Sequence, residues 1–306
     1  MVFWRRLTLV ADTMHALSTE RTAIDAALLR LCDETAGSFT PAVAEAVRYS
    51  LLGEGKRLRG CLLLHAYRAC GGGADATALA AAVEVVHAYS LVHDDLPCMD
   101  DDDVRRGRPT VHKVYSVAIA TAAGLAMVPL AAQAAFRAAR GLTLSDAEAG
   151  AIVRTLMRAS GGGGMIGGQL LDLEAEGRTL GLEELERIHQ GKTGALIEVS
   201  VRLGAMAARA PADQVEALGR YGARLGLAFQ IADDVLDVTA TTDELGKTAG
   251  RDVALRKSTY PALLGIAGAR ERADALIEEA LSALHRAAVN SEVLEALARY
   301  AVERRS

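Results

Sequence analysis

Apolar residues recur every three or four positions along most of this chain, and almost nowhere do they alternate. That period places them on one stripe of a helix. Thr22–Asp33 and Pro41–Leu52 carry it, and Pro41 suits a first helical turn, where a missing N–H costs nothing. Ala76–His93 is an Ala/Val/Leu run behind a glycine cluster at Gly71–Gly73, with Asp75 placed to cap its start. Val117–Arg140 is longer and more apolar; Pro129 should kink it, Gly141 should stop it, and Ser145 should cap the next helix. A four-glycine break, Gly161–Gly164, precedes helical patterns at Leu182–His189, Gly194–Ala208, Ala212–Val238 and Arg270–Ala288. With no internal repeat and no linker-like stretch, the spacing predicts a single all-α domain over residues 1–306.

Composition narrows the class. Hydrophobic residues make up 51% and charged residues 24%, the profile of a folded, soluble chain. Aromatics at 4% and an apolar share rich in Ala and Leu favour helix over sheet. The net charge of −5 carries no basic footprint, so nucleic acid is not an expected partner. Cys32, Cys61, Cys70 and Cys98 form no C-x-x-C pair, which excludes the usual zinc and redox motifs and fits a reducing cytoplasm. Ser116–Phe136 is about 20 residues without a charge, long enough to test as a membrane span. Its alanines, broken by Thr121, Gly124, Pro129 and Gln133, read as a buried core helix instead. The start, MVFWRRLTLVADTM, has no long apolar core or small-residue cleavage site. Residues 1–15 therefore read as a poorly ordered extension rather than a signal peptide.

Two aspartate clusters change the picture. Asp94, Asp95, Asp100, Asp101, Asp102 and Asp103 follow an apolar helix directly, where the macrodipole disfavours carboxylates. So many oxygen ligands suit a hard cation such as Mg²⁺. Asp233, Asp234 and Asp237 lie inside an apolar helix. Asp233 and Asp237 share a face at i,i+4, a repulsive pair unless a cation sits between them, and Gln230 lies on that face too. Val83, His87, Ser90 and Asp94 share another face, so His87 reads either as a core histidine bonded to a carbonyl or as a ligand-facing group beside Asp94.

Local cations accompany these carboxylates. Gly55-Lys56-Arg57-Leu58-Arg59-Gly60 sets three cations between glycines, and Arg105-Arg106-Gly107 follows the acidic run. Guanidinium forks bind phosphate bidentately. Metal on one side and Arg/Lys on the other describes a site for a diphosphate, and the P-loop motif is absent. Gly191-Lys192-Thr193-Gly194 interrupts a helical run and can free a backbone carbonyl. Gly167-Gly168-Gln169-Leu170-Leu171-Asp172 opens another helix; close packing explains its glycines, while Gln169 and Asp172 suggest more.

The sequence resembles the trans-isoprenyl diphosphate synthases, most nearly their bacterial farnesyl diphosphate synthases. The matching pieces are GKRLRG (55–60), HAYSLVHDDLPCMDDDDVRRGRPT (87–110), MIGGQLLDL (165–173), GKTG (191–194), FQIADDVLDV (229–238), ELGKTAGRD (244–252) and KSTYPAL (257–263), in the family's order. The resemblance implies a bundle of long antiparallel helices around a central cavity, usually a homodimer, with the two aspartate motifs facing each other across the cavity mouth. It implies three Mg²⁺ per site, with Mn²⁺ as a substitute, and two substrates, isopentenyl diphosphate and an allylic diphosphate. Asp94, Asp95 and Asp100 match the first metal motif, Asp233, Asp234 and Asp237 the second, and Asp172 a further metal-shell carboxylate. Arg105, Lys192, Lys247 and Lys257 match contacts to the allylic diphosphate. Gly55, Lys56, Arg59, His87 and Arg106 match the isopentenyl diphosphate site. Lys192, Thr193 and Gln230 match the groups lining the reacting carbons.

Tyr89 and Ser90 hold the positions that help set the cavity floor in this family, and an aromatic at Tyr89 resembles enzymes making a C15 product. On an ideal wheel of ~100° per residue, Tyr89 lies roughly 140° from Asp94, so that role rests on resemblance alone. Gly60 stands where the family usually has proline, which should loosen the helix start behind it. The expected activity is farnesyl diphosphate synthesis. Geranylgeranyl diphosphate synthesis is the nearest alternative, favoured by Cys98 in LPCMD. A terpene cyclase usually has an Asn/Ser/Glu second motif, and a non-catalytic regulatory subunit tends to lose an aspartate motif. Neither departure is present here.

Overall fold

The computed structural model describes residues 2–239 and 258–303, with side chains from Leu17 onward. Among these residues the chain is a bundle of packed helices, with one two-residue antiparallel bridge as its sheet. It divides into two compact units. One comprises Met14–Leu64 and Gly73–Met157, the other Met1–Thr13, His65–Gly72 and Arg158–Ser306.

The first unit is built on α4 (Thr77–Asp94), which packs against α2 (Pro41–Leu51) and α6 (Val117–Gly141). Most of its Ala, Val and Leu residues are buried, on more than one side, as befits a helix apolar nearly all round. Asp75 does serve its start, accepting from Thr77 N at 2.9 Å. Helix α1 (Val2–Thr35) begins far upstream of the periodic stretch at Thr22, through residues expected as a poorly ordered extension. Helix α3 (Leu58–Ala69) lies outside the stretches expected as helix. The bridge pairs β1 (Val104–Arg105) with β2 (Arg108–Pro109), Arg105 opposite Arg108. Arg106 and Gly107 turn it with φ of 52° and 73°, the two left-handed positions of a type I′ hairpin. The short α5 (Val111–Val114) follows.

Helix α6 runs through Pro129 and corrects one expectation. It is not wholly buried. Leu125 is 62% and Phe136 37% exposed, so one apolar face is left open to solvent. The next helix, α7 (Asp146–Ser160), starts with a reciprocal cap: Ser145 N donates to Glu148 Oε2 at 2.7 Å and Glu148 N donates to Ser145 Oγ at 3.3 Å.

The second unit centres on α11 (Ala212–Thr239), which packs against α10 (Ala195–Ala207), α12 (Tyr260–Arg286) and α13 (Glu292–Glu303). Its other helices are α8 (Met165–Glu174) and α9 (Leu182–His189). Helix α12 opens behind a Thr259 cap with Pro261 in the first turn and is broken at Gly265 (φ 71°), so the run beyond that kink begins near the predicted Arg270; α13 was not predicted. Between α9 and α10 the helical run does not break. It widens into a π turn over Gln190–Gly194, where a simple interruption was expected.

Glycine makes α10 and α11 approach closely. A Cβ at Gly222 would lie 2.6 Å from Glu198 Cα and 2.8 Å from Val201 Cγ2. Backbone cannot yield as a side-chain tip can, so Gly222→Ala is expected to destabilise the fold by about 1–3 kcal/mol, read as a lower midpoint in urea unfolding.

Candidate active site

In the first unit, the loop before α3, the last turns of α4 and the hairpin form a recess lined by Arg57, Glu84, His87, Asp95, Arg105 and Arg106. Arg57 has no role among the expected ligands, and the structure shows why. It is 7% exposed, with Nε donating to Asp25 Oδ1 at 2.7 Å and Nη2 to the Leu51 and Gly53 carbonyls at 2.8 and 2.9 Å. It staples the loop that carries Lys56 and Gly55. Glu84 was missed, although it is the one acidic residue inside the apolar run Ala76–His93. It is buried beside Arg57, at 4.0 Å, and its Oε1 accepts Gly60 N at 2.9 Å. Gly60 lies in the first turn of α3, where an N–H has no partner within the helix. The departure from proline therefore supplies a donor and anchors the helix start, where loosening was expected.

Arg59 Nη1 lies 3.3 Å from His87 Nε2. A guanidinium only donates, so Nε2 accepts and Nδ1 carries the ring proton. Burial, with Arg59, Arg106, Arg105 and Arg57 around it, holds the His87 imidazole well below its usual pKa and keeps it neutral. Arg105 grips Asp95 Oδ1 through Nε at 2.7 Å and Nη2 at 2.6 Å, with Asp102 at 3.6 Å. Burial raises the Asp95 carboxyl pKa against the pull of Arg105. Arg106 Nη1 donates to Glu54 O at 2.6 Å and passes over Gly55, where a Cβ would stand 2.7 Å from it. Gly55 is thus the gap that admits Arg106, and Lys56 is exposed.

The acidic run folds back on itself. Asp100 N donates to Asp94 O at 2.8 Å and Asp102 N to Asp95 O at 3.3 Å, which returns the end of the run to its start. Asp94 and Asp100 are half-buried. A grouping not read from the sequence lies next to them: Asp101, Asp103 and His112 each offer a ligand atom, all within 4.8 Å of one another. Its signal was only the acidic run itself, since His112 enters through the hairpin. Tyr89 is 3% exposed and meets the His93 ring edge-on at 6.1 Å; Ser90 Oγ donates to His87 O at 2.8 Å.

The second unit carries the other set. A Cβ on Gly168 would fall 2.0 Å from Lys192 N, and one on Gly226 2.6 Å from Gly194 Cα. Close packing of α8 and α11 on the π turn is what these glycines serve. Lys192 Nζ pairs with Asp172 Oδ2 at 2.6 Å. Thr193 Oγ1 donates to Gln230 Oε1 at 3.0 Å, Gln230 Nε2 donates to Asp234 Oδ1 at 3.0 Å, and Tyr260 N donates to Asp234 Oδ2 at 3.1 Å. Tyr260, also missed in the sequence, stacks on His189 at 5.6 Å. Asp233 is half-buried, one turn before Asp237. Asp237 is 3% exposed, and its Oδ2 is buried without a hydrogen-bond partner among the described residues. An oxygen acceptor with no donor suits a cation, so these carboxylates fit a hard, oxygen-ligated metal. Lys247 and Lys257 lie outside the described residues.

Comparison with known proteins gives the family. Residues 40–300 match the family model described as Polyprenyl synthetase. The farnesyl diphosphate synthase of Escherichia coli (strain K12) is 47% identical over 269 residues, 86% of this chain and 89% of that one. Geranylgeranyl pyrophosphate synthase 9, chloroplastic, of Arabidopsis thaliana is 47% identical over 243 residues, 78% of this chain and 67% of that one, and further geranylgeranyl pyrophosphate synthases of that plant match as well. The crystal structure of geranylgeranyl pyrophosphate synthetase from Pyrococcus horikoshii superposes with a TM-score of 0.82 at 30% identity, covering 98% of this chain and 99% of that one. The chain belongs to the polyprenyl synthetase family and is a prenyltransferase of the trans-isoprenyl diphosphate synthase type.

His87 generates a test of the buried recess. Its pKa is lowered on folding, so the unfolded chain takes up a proton below about pH 6.5 that the folded chain refuses. The stability this group provides is complete above about pH 6.5 and falls as the medium acidifies toward the folded pKa. Urea unfolding between pH 7.5 and 5 should show that loss in the wild type and a flatter profile in His87→Gln, which keeps an acceptor for Arg59 without the titration.

Proposed function

We propose that this protein condenses isopentenyl diphosphate with allylic diphosphates and carries the product to geranylgeranyl diphosphate. The observation that carries the reaction is the set of groups around the π turn: a lysine paired with Asp172 and a hydroxyl whose proton is committed to Gln230. The allylic C–O bond breaks with its electron pair leaving on diphosphate. The cation that remains forms a C–C bond with the alkene of isopentenyl diphosphate, and a proton lost to the departing diphosphate restores neutrality. Mg²⁺ supplies neutralisation of the leaving group's charge.

The chain's own residues do the rest. Lys192 exchanges Asp172 for the diphosphate. Thr193 and the turn's carbonyls offer dipoles to the cation without trapping it. Arg59, held by neutral His87, and Arg106 bind the second diphosphate, with Lys56 beside them. In the first unit Asp94 and Asp100 would hold metal; in the second Asp233 and Asp237 would, with Asp172 available once Lys192 leaves it.

For product length, the likeness to the plant geranylgeranyl pyrophosphate synthases supports a C20 product. A C15 product is the second reading, favoured by the aromatic ring at Tyr89. That ring is buried against His93, one turn further along the same helix, an i,i+4 contact that also accounts for its placement. The exposed apolar face of α6 supports a homodimer, with Leu125 and Phe136 as its anchors.

Product sizing tests the proposal. Purified protein with Mg²⁺, isopentenyl diphosphate and farnesyl diphosphate should yield C20 chains. Chains that stop at C15 from dimethylallyl or geranyl diphosphate, with farnesyl diphosphate unused, would keep the reaction and replace the product. Cyclic hydrocarbon formed without isopentenyl diphosphate would remove both.

A further inference from the structure

Asp234 belongs to the second aspartate motif, and its neighbours give it a different duty from its fellows. It is 3% exposed, accepts Gln230 Nε2 through Oδ1 at 3.0 Å and accepts Tyr260 N through Oδ2 at 3.1 Å. An ionised carboxylate can only accept. That fixes the orientation of the Gln230 amide, which is otherwise ambiguous: its NH₂ must face Asp234 and its Oε1 must face Thr193. The Thr193 hydroxyl is then bound to donate, as it does at 3.0 Å. Its single proton is used, and its remaining lone pairs are what the oxygen offers to the site.

We infer that Asp234 is a positioning residue that sets the polarity of Thr193 through Gln230, so that the hydroxyl presents an acceptor and never a proton to the allylic cation. This rests on the prenyl-transfer reading and deepens it. The sign of the dipole at the reacting carbons is fixed by a carboxylate two hydrogen bonds away. Were the chain of bonds reversed, Gln230 would donate to Thr193 and the hydroxyl proton would point at developing positive charge. Differential stabilisation of that charge is what accelerates the step, so reversal lowers kcat without weakening either substrate.

Asp234→Asn performs the reversal at constant shape. Tyr260 N still requires an acceptor, so the new amide turns its oxygen there and its NH₂ toward Gln230. The Gln230 amide flips, and Thr193 becomes the acceptor. In a wild type shown to turn over isopentenyl and geranyl diphosphates, Asp234→Asn is expected to lower kcat about tenfold to a hundredfold with both KM values unchanged. The midpoint for thermal stabilisation by Mg²⁺ with inorganic diphosphate should also be unchanged. Thr193→Val should cost about as much, and the double variant no more than either single one, because one relay is broken in each case. Gln230→Met cuts the relay from the other side and gives the same pattern if Asp234→Asn does not fold. A raised Mg²⁺ midpoint in Asp234→Asn, or losses that multiply with Thr193→Val, would overturn the inference by making Asp234 a metal ligand like its neighbours. No turnover by the wild type would instead remove the prenyl-transfer reading on which it stands.

Discussion

A carboxylate taken out of water must be met by donors, and because it only accepts, it dictates which way every neighbouring hydrogen bond runs. Glu84, Asp95 and Asp234, each 3–4% exposed, are met in this way. Glu84 takes a first-turn N–H of α3 and lies beside the buried Arg57, so the loop bearing Lys56 and the helix bearing Arg59 share one anchor. Asp95 takes both arms of Arg105 and ties the hairpin to the end of α4. Asp234 takes the first N–H of α12 and the amide of α11. For Glu84 and Asp234 the carboxylate that takes an N–H at a helix start also holds a segment of the site through its other oxygen, so architecture and chemistry are not separable at these points.

Glycine is the second device, and it works by absence. The π turn at Gln190–Gly194 lies between α8 and α11 because Gly168 and Gly226 let backbone meet backbone. A wider helical turn needs that support: its hydrogen bonds are less regular than those of an α-helix, and packing on two sides holds it open. The reward is a lysine and a threonine presented at a place where the helix alone would have directed them elsewhere.

Much of this was legible in the sequence, for identifiable reasons. The 3.6 period marked α2, α4, α6, α9, α10 and α11 to within a few residues, because each buries one continuous stripe or is apolar throughout. Helix α3 was hidden by its mixed run of Arg, Gly and His, and α13 by its alternation of Glu with Ala and Leu near the chain end. The Asp clusters, Lys192, Thr193 and Gln230 announced themselves as polar groups at odds with their apolar helices. What could not be read was direction. Arg57, Arg59, Arg105 and Arg106 look alike in sequence. One is a buried staple, one rests on a histidine, one is held by an aspartate and one reaches a carbonyl, and these differences come from tertiary contacts alone. The reading of α6 as core failed for a related reason: hydropathy reports that a face is apolar, not what covers it.

Gly60 makes one position answerable to three helices. Its N–H serves Glu84, and a Cβ there would stand 2.8 Å from Ile24 Cδ1. Replacing it by proline removes the donor, leaves a buried carboxylate short of a partner and drives a ring into α1. Each loss falls on a different helix, so one substitution at this position would be felt in α1, α3 and α4 together.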